Sequence, residues 1–235
     1  MFIKIVKGDK MKKLILVLLL AGVVPAQTFV VESVSGDVKY QEGGSESWVS
    51  LKAGDTVGDD VVISTGSNSS VLLKGENEQF KLGELAAVSV SNIKTMDIDE
   101  LLLALAMEDI MNAPKKIEKN SDNTAVYGTE TGKDNKPIIK SNDFGIKRLN
   151  GAVELAGNGF EESAVVAARE TFRKYPGTKN IPSYRIYFAN ILYNKGLYEE
   201  ALDEYVDIQK LKLTDEKRAE VNKKTESIKM KLLSE

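Results

Sequence analysis

Acidic side chains are the groups in this sequence whose type and spacing could do chemistry. Asp55, Asp59 and Asp60 could form a cation site, but they lack the D-x-D-x-D-G spacing of a calcium loop and lie near glycines, as turn-forming aspartates do. Glu161–Glu162 and Glu199–Glu200 could act as acid–base pairs, yet each pair opens a predicted helix, where negative charge favours the helix dipole. We therefore predict no catalytic, cofactor-binding or metal-binding residue, and a protein that is not an enzyme.

Histidine and cysteine are both missing from the 235 residues. Without histidine the sequence lacks the commonest general base and metal ligand, and without cysteine it can form no disulfide, thiolate metal site or thiol nucleophile. The formal net charge is −3, and it becomes −7 once the five lysines and one aspartate of residues 1–26 are removed. An acidic chain with no arginine-rich block predicts that nucleic acid is not a partner.

The N-terminal residues have the pattern of an export signal. Met11, the better candidate for the start, precedes two lysines and an apolar run at Leu14–Val24, and small residues suited to signal peptidase end the run at Ala26. The run is too short for a spanning helix, which needs roughly 20 residues. We predict a cleavable signal peptide at residues 1–26, no membrane span in the mature chain, and a periplasmic or otherwise exported protein. The alternative is an uncleaved anchor, and no cysteine follows the run to carry a lipid.

Residues 28–94 have the pattern of an antiparallel β region. Short clusters rich in β-branched residues are separated by turn formers such as Gly36-Asp37 and Gly54-Asp55. Strands at a spacing of about 8–12 residues are typical of a sandwich or barrel. The single tryptophan, Trp48, lies in one of these clusters and is expected in the core.

A helix is predicted at residues 97–113. Asp97 and Glu100 have the spacing of a capping box, and Pro114 stops the helix. Leu101–Met107 is apolar on nearly every face, so we expect the helix to be buried against the β core or the C-terminal helices. A helix that docks a partner is the alternative.

Three segments of the β region, taken together, resemble the FecR-type periplasmic domain. They are Val34–Val38 (VSGDV), Trp48–Val57 (WVSLKAGDTV) and Ile63–Leu73 (ISTGSNSSVLL). Thr124–Thr129 resembles the segment that often closes such domains, although Tyr127 stands where an arginine is common. The resemblance implies a FecR-like β domain at residues 27–131 with one inserted helix, and we place a polar linker at residues 132–142.

After the linker the apolar spacing becomes helical, and residues 143–235 are predicted to form two helical hairpins and a charged final helix. Lys195–Tyr205 has a looser copy 37 positions upstream, at Asn158–Ala164. Both segments resemble the tetratricopeptide repeat, with Gly196 at the turn and Ala201 where the two helices approach closely. The resemblance implies a multidomain β + α protein whose all-α part is an array of two TPR-like hairpins and a C-terminal capping helix.

In that repeat the first helix of each hairpin lines a concave binding face. The register places Ile186, Asn190, Tyr193 and Asn194 on this face, and we predict them as protein-binding residues. The alternative is that these side chains are solvated or contact the capping helix.

Together these patterns predict a non-catalytic, exported cell-envelope protein that acts as a protein-binding scaffold. Its partner would be an envelope protein, held by the concave face and by the helix at residues 97–113. The FecR resemblance implies an alternative, a periplasmic sensor or regulator that relays a receptor signal. A cell-wall or glycan-binding module is a third hypothesis, for which the β domain offers four aromatic side chains: Tyr40, Trp48, Phe80 and Tyr127.

Overall fold

The computed structural model describes residues 27–112, 130–131 and 136–234. The predicted signal peptide at residues 1–26 and the Thr124–Thr129 motif lie outside these ranges. Within the described chain, two antiparallel sheets of four strands each come first and a region of six α-helices follows. The predicted order of a β region and then an α region is therefore confirmed.

The β region is built from short strands whose side chains alternate between the core and the solvent. The strands are β1 (Thr28–Ser35), β2 (Val38–Glu42), β3 (Val49–Ser50), β4 (Thr56–Gly58), β5 (Val61–Thr65), β6 (Ser70–Lys74), β7 (Gln79–Leu82), β8 (Ala87–Ser89), β9 (Glu130–Thr131) and β10 (Pro137–Ile138). One sheet has the order β4-β1-β6-β7 and the other β3-β2-β5-β8, while β9 and β10 pair with each other. In β5, Val61, Ile63 and Thr65 are buried and the residues between them are partly exposed, as a period of two requires.

The described chain contains six α-helices, several of which begin at recognisable sequence signals. They are α1 (Ile98–Asn112), α2 (Phe144–Gly157), α3 (Glu161–Lys174), α4 (Pro182–Asn194), α5 (Tyr198–Gln209) and α6 (Asp215–Leu232). The capping box before α1 is formed: the Glu100 amide donates to the Asp97 carboxylate over 2.8 Å, and the Asp97 amide donates to the Glu100 carboxylate over 3.1 Å. No helix in the described ranges is long and apolar enough to cross a membrane.

The last five helices pack as successive antiparallel neighbours. Contacts join α2 to α3, α4 to α5, and α5 to α6. The turns within the two hairpins contain Gly159 and Gly196, whose φ angles of 93° and 81° lie in the left-handed region that favours glycine. The two glycines that the sequence repeat aligned therefore take the same backbone conformation.

The helical region packs directly on the β region through α2 and β8. Arg148 of α2 donates to the Ser89 hydroxyl over 2.7 Å, and buried apolar side chains of both regions belong to one continuous cluster. The described part of the predicted linker, residues 136–142, contains β10 and buries Ile139. This stretch therefore packs against α2 and α4.

One expectation about burial holds only in part, and another is wrong. Helix α1 packs against the C-terminal helices, as expected, with its main contacts on α3, but it buries only the side that carries Leu101, Leu105 and Glu108 and leaves large apolar side chains exposed on the other side. Trp48 keeps 37% of its surface exposed, because it comes just before the two-residue edge strand β3 and its ring packs against Phe144 instead of entering the core.

Candidate functional site

The predicted concave-face residues lie on α4, and helix α6 lies across them. Ile186 is buried and Asn194 is exposed. The Asn190 amide donates to Glu220 over 3.0 Å, while its carbonyl oxygen accepts a hydrogen bond from the Tyr205 hydroxyl. Both hydrogen bonds of the Asn190 side chain are therefore made to residues of the same chain.

Tyr193 makes the closest approach to α6. Its hydroxyl shares a hydrogen bond of 3.0 Å with Ser227, and the Lys224 ammonium lies 3.8 Å from the centre of its ring. The hydrogen bond with Ser227, helped by the charges of Lys224 and Lys231 and opposed by desolvation, lowers the pKa of the Tyr193 phenol. Contacts with α6 therefore occupy the hydroxyl and the ring of Tyr193, and Asn194 is the most exposed of the four predicted site residues.

Among the described helices, α1 carries the most exposed large apolar side chains. Four side chains form what we call the α1 stripe: Leu103, Met107, Ile110 and Met111. They recur at the i, i+4, i+7, i+8 spacing of one helix face, and Leu103 and Ile110 keep 65% and 75% of their surface exposed. The composition of this run was visible in the sequence, but which side of the helix would remain uncovered was not.

A partly buried ion pair holds α1 against α3. Arg173 of α3 binds the Glu108 carboxylate through two hydrogen bonds, Nε to Oε2 at 2.8 Å and Nη2 to Oε1 at 3.3 Å. Glu108 is buried, and a bidentate pair of this kind fixes orientation as well as position. No sequence pattern indicated that these residues, 65 positions apart, would meet.

Acidic side chains border the α1 stripe at both ends. Asp99 and Glu100 are exposed in the first turn of α1. Asp109, 66% exposed, lies at the other end, 3.5 Å from Arg169. The stripe is therefore an apolar surface in an acidic setting.

Three of the carboxylates that the sequence offered as catalytic or metal candidates make structural contacts. Asp55 accepts the Lys52 amide over 2.8 Å in a turn. Glu161 and Glu162 both bind the Lys195 ammonium, at 2.8 and 2.6 Å, and so tie the start of α3 to the end of α4. In the part of the chain that the structure describes, no three acidic residues come together as a metal site.

No protein-family model matches this chain, and no curated protein or solved structure matches it significantly. The FecR and tetratricopeptide resemblances consequently rest on the quoted residues alone.

Proposed function

We propose that this chain is a non-catalytic, exported cell-envelope protein that binds a partner protein. In this proposal a FecR-like β module (residues 27–131) and a TPR-like helical region (residues 143–235) form the scaffold, and the α1 stripe is the main docking surface. The observation that carries the proposal is the exposure of four large apolar side chains on one face of an anchored helix. Soluble proteins rarely leave contiguous apolar patches uncovered unless the patch binds something.

The contacts of the motif residues support the FecR-like part of the proposal. The Asp37 amide donates to the Ser69 hydroxyl over 2.8 Å. The buried Thr65 hydroxyl donates to the Gly83 carbonyl over 2.6 Å and accepts the Ala86 amide over 3.0 Å. Asp37 of the first quoted segment therefore bonds with Ser69 of the third, and Thr65 of the third bonds with the turn at Gly83–Ala86. These hydrogen bonds give the polar motif residues a structural role in the β region.

The occupant that best fits the α1 stripe is an amphipathic helix of a partner protein with basic residues beside its apolar face. The stripe spans nine residues, or about 12 Å of helix, which is enough for two turns of a partner helix. Asp99 and Glu100, exposed beside the stripe, would attract lysine or arginine and repel an acidic surface, while Asp109 already pairs with Arg169. The partner's helix would lie against α1 with its apolar side chains between Leu103 and Ile110.

Photocrosslinking in the producing cells tests this docking surface. A benzoyl-phenylalanine at Leu103 should capture one protein, and the crosslinked peptide should carry apolar residues at i, i+4 spacing flanked by lysine or arginine. The same photoreactive residue at Met230, which is 67% exposed on α6, is the matched control and should not capture it. Ile110→Asp should abolish the adduct, since it puts a charge in the middle of the stripe.

Three results would contradict the docking proposal. One is a crosslink to residues 113–129 of the same chain, and another is a crosslink to a second copy, since either would show that this protein covers its own stripe. The third is capture of the same proteins from Leu103 and Met230, which would mark the adducts as unspecific.

Export is tested separately, by the mass of the intact protein purified from its own host. A mature chain that begins at Gln27 would support the signal peptide and the envelope location. A chain that retains residues 1–26 and stays in the membrane fraction would contradict cleavage and favour the anchored alternative.

A further inference from the structure

A cleft opens where the second sheet meets the start of α2. We call it the junction cleft; its volume is about 500 Å³, within the range of small-molecule sites. Its wall includes Trp48 and Phe144, whose ring centres are 5.7 Å apart in an edge-to-face arrangement. Lys147 of α2 and Lys39 of β2 also line it, so both regions of the protein contribute to the cleft.

Most other lining groups of the junction cleft are polar. Asp37, Gln41, Ser64 and Asn142 offer both hydrogen-bond donors and acceptors. A purely apolar ligand would take water away from these groups without replacing its hydrogen bonds, which is costly. A ligand with many hydroxyl groups and one apolar face would satisfy them and cover the Trp48 ring.

Lys147 gives the cleft a positively charged point with a fixed position. Its ammonium donates to the Thr65 carbonyl oxygen over 2.9 Å, which ties it to the buried end of β5. Desolvation lowers the pKa of Lys147, Asp37 partly offsets that effect, and the nearby Lys39 adds to it. Asp37 also pairs with Lys39 at 3.5 Å, so the two cations share one carboxylate. The cleft therefore has one more positive than negative side chain in this group, and an anion beside Lys147 would balance the charge.

We propose that the junction cleft binds an acidic sugar, a pyranose ring bearing a carboxylate. The carbon–hydrogen face of the ring packs on Trp48, because the face of an indole ring is electron-rich and attracts weakly positive hydrogens. The carboxylate pairs with Lys147, and the ring hydroxyls bond with Gln41, Ser64 and Asn142. This binding site goes beyond the docking function and does not depend on the α1 stripe.

Trp48 supplies a direct signal for the test, because it is the single tryptophan of the chain. The full-length protein is titrated with tri-galacturonic acid, with neutral maltotriose and with inorganic phosphate, and tryptophan emission is recorded. We expect a saturable change with tri-galacturonic acid, and at least about tenfold weaker binding of maltotriose and of phosphate. Raising the salt concentration should weaken the binding of tri-galacturonic acid more than the binding of maltotriose.

Substitutions assign the interaction to the cleft. Lys147→Met should weaken the binding of tri-galacturonic acid at least about tenfold. If loss of the hydrogen bond from Lys147 to Thr65 lowers the stability of that variant, Lys39→Met provides a second test at the exposed rim of the cleft. Lys74→Met, at an exposed lysine outside the cleft, is the matched control and should bind as the parent protein does.

The outcomes against the acidic-sugar proposal are distinct. If maltotriose binds as tightly as tri-galacturonic acid, the carboxylate plays no part in recognition. If phosphate binds as tightly as tri-galacturonic acid, the sugar ring plays no part. An unsaturable emission change, or unaltered binding in both lysine variants, would remove the cleft as the site. None of these results would affect the crosslinking at Leu103.

Discussion

Gly151 of α2 lies so close to Ala87 of β8 that a Cβ atom built on the glycine would be 1.9 Å from the Ala87 carbonyl oxygen. The approach of helix backbone to strand backbone is possible only because glycine has no side chain. This contact lies in the interface between the helical region and the β region. The same interface contributes residues to the junction cleft, through Lys147 one turn earlier on α2.

We expect Gly151→Ala to destabilise the protein by about 3 kcal/mol, the upper end of the usual range for an overpacked site. The methyl group has to push α2 off β8, because the atom that it meets belongs to the backbone and cannot rotate away. For a chain of this length the midpoint of thermal unfolding should fall by roughly 6–12 °C, measured by circular dichroism or calorimetry.

Gly177→Ala is the matched control for this change. A Cβ at Gly177 would meet no atom within 4 Å, and the residue does not have a positive φ. The alanine should therefore be neutral or stabilise by up to about 1 kcal/mol through the unfolded chain. Equal midpoints for the two variants would show that α2 does not sit against β8 as described.

Asn150, buried beside Gly151, joins three separate parts of the chain. Its amide nitrogen donates to the carbonyls of Leu85 and Ile139 over 2.7 and 2.9 Å. Its carbonyl oxygen accepts from the Ile139 amide over 3.2 Å and from the Tyr184 hydroxyl. Burial raises the pKa of the Tyr184 phenol, so the hydroxyl remains a donor at all ordinary pH values.

Replacement of Asn150 by leucine should cost at least about 3 kcal/mol, because several buried polar groups lose their partner at once. Chemical denaturation followed by far-ultraviolet dichroism measures the loss. Tyr184→Phe removes the hydrogen bond to Asn150 and the one from the Ile139 amide, but that amide keeps Asn150 as a partner, so the change should cost only about 1 kcal/mol. Asn222→Leu, on the exposed face of α6, should change the free energy of unfolding by less than about 0.5 kcal/mol. A loss for Asn150→Leu no greater than for Asn222→Leu would contradict the buried network.

Glu154 predicts a pH dependence with a definite sign. Desolvation raises the pKa of this carboxyl, and the charges of Lys136 and Lys81 offset it only in part. A carboxyl whose folded pKa lies above its unfolded value of 4.5 contributes stability below about pH 4.5, and that contribution is lost as the pH rises through the folded pKa. The ionised group therefore destabilises the protein at neutral pH.

Glu154→Gln should consequently raise the unfolding midpoint at pH 7 and leave it nearly unchanged near pH 4. Midpoints measured across this range in one buffer system give the comparison. Glu46→Gln, in the exposed turn between β2 and β3, serves as the control and should show no such pH-dependent gain. A gain from Glu154→Gln that is as large at pH 4 as at pH 7 would point to packing and not to charge.

Local signals made several elements predictable. The capping box at Asp97 and Glu100 specified the start of α1, and the alternation in β5 followed from residue types that fit a half-buried strand. The turns at Gly159 and Gly196 were visible because a left-handed backbone favours glycine. Each of these features depends on residues within a few positions of one another.

The features that were missed depend on distant residues. Pairing of Glu108 with Arg173, or of Lys147 with the Thr65 carbonyl, requires knowing which elements become neighbours. Composition suggested that α1 would be buried, but burial needs a partner on each side, and the described chain provides one on a single side. Trp48 was misplaced for the same reason, since a short edge strand leaves its side chains partly uncovered.

The contact of α4 with α6 leads to a last prediction, about the concave face. A photoreactive residue at Asn190 should crosslink mainly to α6 within the same chain, because Glu220 lies at hydrogen-bond distance from that side chain. The same residue at the exposed Asn194 should capture a partner protein if this end of the face takes part in docking. Mass spectrometry of the crosslinked peptides distinguishes the two results. An intermolecular adduct at Asn190 that is stronger than the internal one would show that α6 leaves the face in the cell, and the concave face would then replace the α1 stripe as the first surface to map.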